Sequence, residues 1–160
     1  INAGDIDIGF SRPLASPNHL ENICVAREPL MLAIPRAHPL AATRRPTLDA
    51  LSGEPFITFS APARYLHDKL ARLIAENMIT PRIVQSMTHS QAILSLVSAG
   101  IGLAIVPAET QNACFDNIVF RPLDLSDECI AELHLIWSDD NRNPLLWEIR
   151  QIASSAIETR

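Results

Sequence analysis

Between Phe56 and Val106 the hydrophobic period switches back and forth between two and 3.6 residues, and this switching restricts the fold more than any other feature of the chain. Pro55-Phe56-Ile57-Thr58-Phe59 is a short apolar run that Ser60-Ala61-Pro62-Ala63 breaks. From Arg64 onward Leu66, Leu70, Leu73, Ile74 and Asn77/Met78 fall on one side, and His67, Asp68, Lys69 and Arg72 fall on the remainder. That spacing predicts a helix packed on a sheet. Pro81 ends it, and Arg82 to Met87 returns to a strand. Thr88-His89-Ser90-Gln91 has the spacing of a capping box, after which Ile93, Leu94, Leu96 and Val97 run to Gly100, the expected C-terminal cap. Beyond a turn at Gly102, Leu103-Ala104-Ile105-Val106 is a further apolar strand. Strand, helix, strand, helix, strand predicts an α/β fold with a largely parallel sheet.

The ends carry a different pattern. Asp5 to Phe10 alternates, with Ile6, Ile8 and Phe10 expected on the buried face. Leu30-Met31-Leu32-Ala33-Ile34 is apolar on both faces and predicts a central strand. Ile118-Val119-Phe120 and the alternating Leu133, Leu135 and Trp137 add two more. Asn143-Pro144 is a helix start, with Leu145, Ile149, Ile152, Ala153 and Ala156 as the apolar side and Arg150 and Arg160 toward the favourable end. This order predicts two lobes, residues 1–28 with 118–160 and residues 29–117. The chain would cross near Cys24 to Pro29 and again near Asn117 to Pro122. Such a division creates a cleft of the kind that binds ligands in α/β proteins.

Composition narrows the function. Of 160 residues 48% are hydrophobic and 19% charged, which excludes a disordered chain. Thirteen Lys and Arg against eighteen Asp and Glu give a net charge of −5, which argues against a long basic surface along a phosphate backbone. Three cysteines, Cys24, Cys114 and Cys129, are odd in number and far apart, so free thiols in a reducing compartment are expected. No apolar run approaches the roughly 20 residues that span a bilayer, and a cytoplasmic location without membrane attachment is expected. Because Ile1 is not an initiator methionine, a fragment of a longer protein is expected.

A search for catalytic chemistry fails. His67 and Asp68 are adjacent, no H-E-x-x-H or C-x-x-C occurs, and the expectation is no metal. Ser60 follows a strand but lacks the glycines of a nucleophile elbow, so pairing with His67 or His89 has no support from its surroundings. Gly100-x-Gly102 follows a helix and precedes a strand, the wrong polarity for cradling phosphate, so no nucleotide cofactor is expected either. A small-ligand cleft remains. Ser60-Ala61-Pro62 and Thr88-His89-Ser90 each lie between a strand and the next helix, where unpaired backbone N–H groups favour an anion. Arg12, just beyond the first strand, would supply a charged partner. Simple capping and a solvated charge are the plainer readings of the same residues.

At these residues the chain resembles the effector-binding domain of LysR-type transcriptional regulators. Ala3-Gly4-Asp5-Ile6-Asp7-Ile8-Gly9-Phe10 is similar to the family's G-x-L-D-hydrophobic strand. Glu28 to Pro35, followed by Ala37-His38-Pro39-Leu40-Ala41, is similar to its first crossing strand and H-P-L-A turn. Leu51 to Ile57 and Leu96 to Pro107 complete the pattern in order. The resemblance implies two Rossmann-like lobes joined by two crossing strands, periplasmic-binding-protein-like, with the first lobe incomplete and apolar area exposed on it. It implies a non-enzymatic domain that senses a small organic acid, an aromatic or muconate-like one as in regulators of aromatic and chloroaromatic catabolism. By motif, Arg12 corresponds to their cleft arginine, and Ser60, Ala61, Pro62 and Tyr65 to their polar loop and following aromatic residue. A homo-oligomer is implied, a dimer or tetramer in the full-length protein, with DNA contacted only through an N-terminal domain outside these residues. A transport-type solute-binding protein and a small α/β enzyme are the alternatives.

Overall fold

The apolar run from Leu30 to Ile34 is the inner end of a much longer strand, β2, Leu20–Pro35, in the computed structural model of the chain. The structure describes residues 1, 5–14, 19–123, 125 and 129–158, the last three of these without their side chains. Arg160 and the side chain of Ala156, both expected on the last helix, lie outside the described residues. The chain divides into two compact units, residues 1–27 with 132–160, and residues 28–131. Strand β2 runs from the first into the second.

The larger unit holds the alternating block. Strand β3, Pro55–Phe59, pairs in parallel with β4, Arg82–Met87, with a register shift between Phe56 and Ile57. Helix α1, Arg64–Glu76, connects them and buries Leu66, Leu70 and Leu73. Helix α2, Ser90–Ser98, follows β4 and buries Ile93, Leu94 and Val97. Strand β5, Ala104–Pro107, is entered through a parallel bridge between Phe56 and Leu103. The apolar half of β2 then lies antiparallel to both β5 and β6, Ile118–Pro122, and its Leu30, Leu32, Ala33 and Ile34 are buried.

Local chemistry explains where these elements stop. Ala99 caps α2, the Gly100 amide donates to the Val97 carbonyl at 2.9 Å and the Ile101 amide to the Leu96 carbonyl at 3.1 Å. This is a Schellman arrangement, and Gly100 at φ 77° supplies the left-handed residue it needs. Helix α1 stops before the expected Asn77/Met78: Asn77 is its C-cap and Met78 takes φ 54°, which turns the Met78 side chain into solvent.

Residues 118–122 correct the expected lobe boundary. They pair with Met31 to Pro35 and so belong to the larger unit, and the chain returns to the smaller one at Ala131/Glu132 rather than near Asn117 to Pro122. An apolar triplet signals a strand but not its partner, which the register alone specifies.

In the smaller unit β7, Ile130–Ser138, lies antiparallel to β1, Ile8–Ser11, and neighbours β2 on its other side. Leu135, Trp137 and Leu146 are its buried residues, with Ile8, Ile23, Val25, Ile149 and Ala153 packed against them. Two expectations fail here. Phe10 is 68% exposed and Ile6 is exposed as well, because β1 stands at the end of the strand order and only Ile8 reaches the buried cluster. Helix α3, Leu146–Glu158, begins later than Asn143, whose Oδ1 accepts from the Leu145 amide at 3.0 Å. Ile149 and Ala153 turn inward as expected and Leu146 joins them, whereas Leu145 and Ile152 are exposed.

Candidate functional site

Parallel pairing of β3 with β4 delivers two strand-to-helix turns side by side. Phe59 and Met87 are opposite in register, and the Ser60 amide donates to the Met87 carbonyl at 2.9 Å. Ser60 is half-buried and precedes a short 3-10 turn, Ala61–Ala63, without a side-chain cap bond of its own. Its carbonyl accepts from the Ala63 amide at 2.9 Å. Ala61 and Pro62 are exposed, and Pro62 has no N–H to offer. On the second turn Thr88 and His89 are exposed and Ser90 is half-buried. These residues thus lie on adjacent turns at the same end of two paired strands.

The predicted capping box does not form. His89, at φ −122° and ψ 136°, is the N-cap of α2, and it makes no side-chain cap bond. Its carbonyl accepts from the Ile93 amide at 3.2 Å, so the helix starts one residue later than a box on Thr88 and Gln91 requires. The first amides of α2 have no partner within the helix, which is the property an anion uses.

Tyr65 stands in the first turn of α1, packed against the core of the larger unit with its hydroxyl 3.5 Å from the Ile130 carbonyl and the Lys69 ammonium 5.5 Å from its ring centroid. Arg12 belongs to the smaller unit, and its Nη1 donates to the Glu132 carbonyl at 2.8 Å. It is oriented by the backbone of β7 rather than simply solvated.

Two features escaped the sequence reading. Glu28 is a buried carboxylate, 7% exposed, whose Oε2 accepts from the Glu109 amide at 2.9 Å. An acid just before an apolar strand was the available signal. The second is a cluster in the smaller unit: Cys24, Glu132 and His134 each offer a donor atom within 4.8 Å of the others. Asn22 and Cys24 alternate along β2, and Glu132 and His134 along β7, so neighbouring strands bring them to one face. The His134 hydrogen bond holds the Glu132 carboxyl below its ordinary range, partly opposed by burial and assisted by the Arg27 charge.

A family model described as LysR substrate binding domain matches residues 1–156. The chain belongs to that LysR family. The transcriptional regulator AlsR of Bacillus subtilis (strain 168) is 32% identical over 158 residues, covering 98% of this chain and 52% of AlsR. Among solved structures, the LysR family transcriptional regulator CbnR superposes with a TM-score of 0.84 at 25% identity, over 95% of this chain and 53% of that one. The effector binding domain of BenM, solved with its effector benzoate, gives a TM-score of 0.74 at 25% identity, over 96% of this chain and 72% of that one. The chain spans about half the length of the curated relatives it matches. Its fold is the α/β, periplasmic-binding-protein-like fold of LysR effector domains. Among the described residues no helix is long and apolar enough to cross a membrane.

Proposed function

We propose that this chain is the effector-sensing part of a LysR-type regulator, that it takes a small aromatic or muconate-like organic acid, and that the acid modulates DNA binding by the whole protein. Family membership supports the sensing role, and the relatives named above are regulators rather than enzymes. The effector named for BenM, benzoate, supports the acid class. The observation that carries the site is the Ser60 to Met87 backbone bond, which holds the turns after β3 and β4 together. The ligand carboxylate sits at these turns, bound by the Ser60 hydroxyl and the opening amides of α2, with Ala61, Pro62, Thr88, His89 and Ser90 around it and Tyr65 as an apolar wall. Arg12 is the further proposed effector contact, through a charge-assisted bond.

No proton transfer or covalent step is required. A sensor needs only different affinities for the acid in two conformations, and the conformation favoured by the acid gains population. DNA is contacted through a domain outside these residues, and the full-length regulator works as a homo-oligomer in the cytoplasm.

Calorimetric titration of the chain with benzoate, cis,cis-muconate, chlorinated muconates and aliphatic dicarboxylates tests the reading. At least one unsaturated or aromatic acid binds saturably, and Arg12→Ala weakens it roughly ten- to hundredfold, the worth of one hydrogen bond to a charged group. Ser60→Ala costs less, since backbone donors remain. Absence of binding by every acid removes the effector class, and equal affinity of wild type and Arg12→Ala removes Arg12 from the site.

A further inference from the structure

We propose that Cys24, Glu132 and His134 form a binding site for a divalent transition-metal ion of the zinc class. The three side chains project from one face of adjacent strands, and one donor atom from each lies within 4.8 Å of the others. Bonds of about 2.0 to 2.3 Å in a tetrahedron set donor atoms roughly 3.3 to 3.6 Å apart. His134 Nε2 and Glu132 Oε2 are already 3.1 Å apart. Small side-chain rotations therefore complete three ligands around one ion, and a fourth position stays open to water or a ligand atom. Thiolate with imidazole and carboxylate is a donor set that suits zinc and disfavours magnesium or calcium.

The surroundings are arranged as metal sites require. Asn22 Oδ1 is 2.9 Å from His134 Nδ1 and, as an acceptor, fixes that nitrogen as the N–H. With Nδ1 as the N–H, Nε2 can give its lone pair to a metal in place of its hydrogen bond to Glu132. Arg27 Nε lies 3.2 Å from Glu132 Oε1 and orients the carboxylate with Oε2 toward His134. Cys24 is half-buried on the same face, its thiol directed at the Ala26 carbonyl at 3.5 Å. Binding releases the Cys24 thiol proton, and with it any proton that His134 Nε2 shares with Glu132, to solvent, and no electron moves.

Cobalt(II) titration of the chain under reducing conditions reads the site directly. One cobalt per chain is expected, with a thiolate-to-cobalt charge-transfer band that one equivalent of zinc(II) abolishes. Cys24→Ser loses the band and His134→Gln weakens it, whereas Cys114→Ser and Cys129→Ser leave it unchanged. Asn22→Ala weakens the metal about 10- to 100-fold, the usual effect of losing the partner of a ligating histidine. Iodoacetamide labelling of the unsubstituted chain, followed by peptide mass analysis, needs no variant: zinc(II) protects Cys24 and leaves the exposed Cys114 reactive. No band, a band that survives Cys24→Ser, or Cys24 labelling unchanged by zinc(II) would overturn the proposal.

Discussion

A Cβ placed on Gly102 would stand 2.6 Å from the carbonyl oxygen of Pro55, closer than side-chain carbons come to backbone in folded proteins. The approach exists because the Leu103 amide donates to that same carbonyl and the Ile57 amide to the Leu103 carbonyl, both at 2.8 Å, joining β3 to the segment that enters β5. Gly102→Ala must push two bonded strands apart, and a loss of about 1 to 3 kcal/mol is expected by urea denaturation. Gly100 has open space around it but a φ of 77°, so its cost is conformational instead. Gly100→Ala should lose about 1 kcal/mol and Gly100→Asn less, because asparagine tolerates the left-handed region. Alanine tolerated at either position without measurable loss would contradict this account.

Glu28 anchors the segment after β5. Its carboxylate accepts from the Glu109 amide at 2.9 Å, at the start of the 3-10 stretch Ala108–Ala113. Glu28→Ala removes a charged acceptor from the partly buried bond to the Glu109 amide and should cost roughly 1.5 to 3 kcal/mol, while Glu28→Gln keeps an acceptor and costs less. Hydrogen exchange of the Glu109 amide gives the local readout, and protection unchanged in Glu28→Ala would show that the bond does not hold the segment.

The smaller unit depends on few buried residues. Leu135 is fully buried, Trp137 nearly so, and the Arg150 guanidinium lies 4.4 Å from the Trp137 ring centroid. Trp137→Ala should cost about 3 to 5 kcal/mol. Arg150→Ala should cost only about 0.5 to 1 kcal/mol, since this cation–π pair sits at an exposed arginine. Thermal unfolding of both variants checks the ratio, and comparable losses would assign Arg150 a packing role.

Trp147 and Ile152, on the outer side of α3, are 67% and 69% exposed. Large exposed apolar side chains on one element promote association. The chain should bind an apolar dye and sediment heavier with rising concentration, and Trp147→Glu combined with Ile152→Glu should suppress both. A double variant that binds dye as the parent does would place the apolar surface elsewhere.

The alternating block was legible because its signals are local. Leu66, Leu70 and Leu73 repeat at the helical period, Gly100 stops α2, and Ser60 and Thr88 to Ser90 fall between strand and helix by sequence order alone. Helix α3 shows the limit. Ile149 and Ala153 pack inward as their spacing indicates, but the burial of Leu146 in place of Leu145 and Ile152 depends on what the helix packs against. The N-cap on His89 was hidden as well, since a one-residue change of helix start abolishes a capping box without altering the pattern.

Periodicity and turn chemistry determined which segments become strands and helices, because backbone preference and the burial of an apolar face act over neighbouring residues. The partner of β6, the place where the chain returns to the smaller unit, the close approach of Gly102 to Pro55, and the meeting of Cys24 with Glu132 and His134 came only from tertiary structure. Each depends on strand register between segments far apart in the chain, and register is set by the packing of the whole sheet rather than by any stretch of sequence that contributes to it.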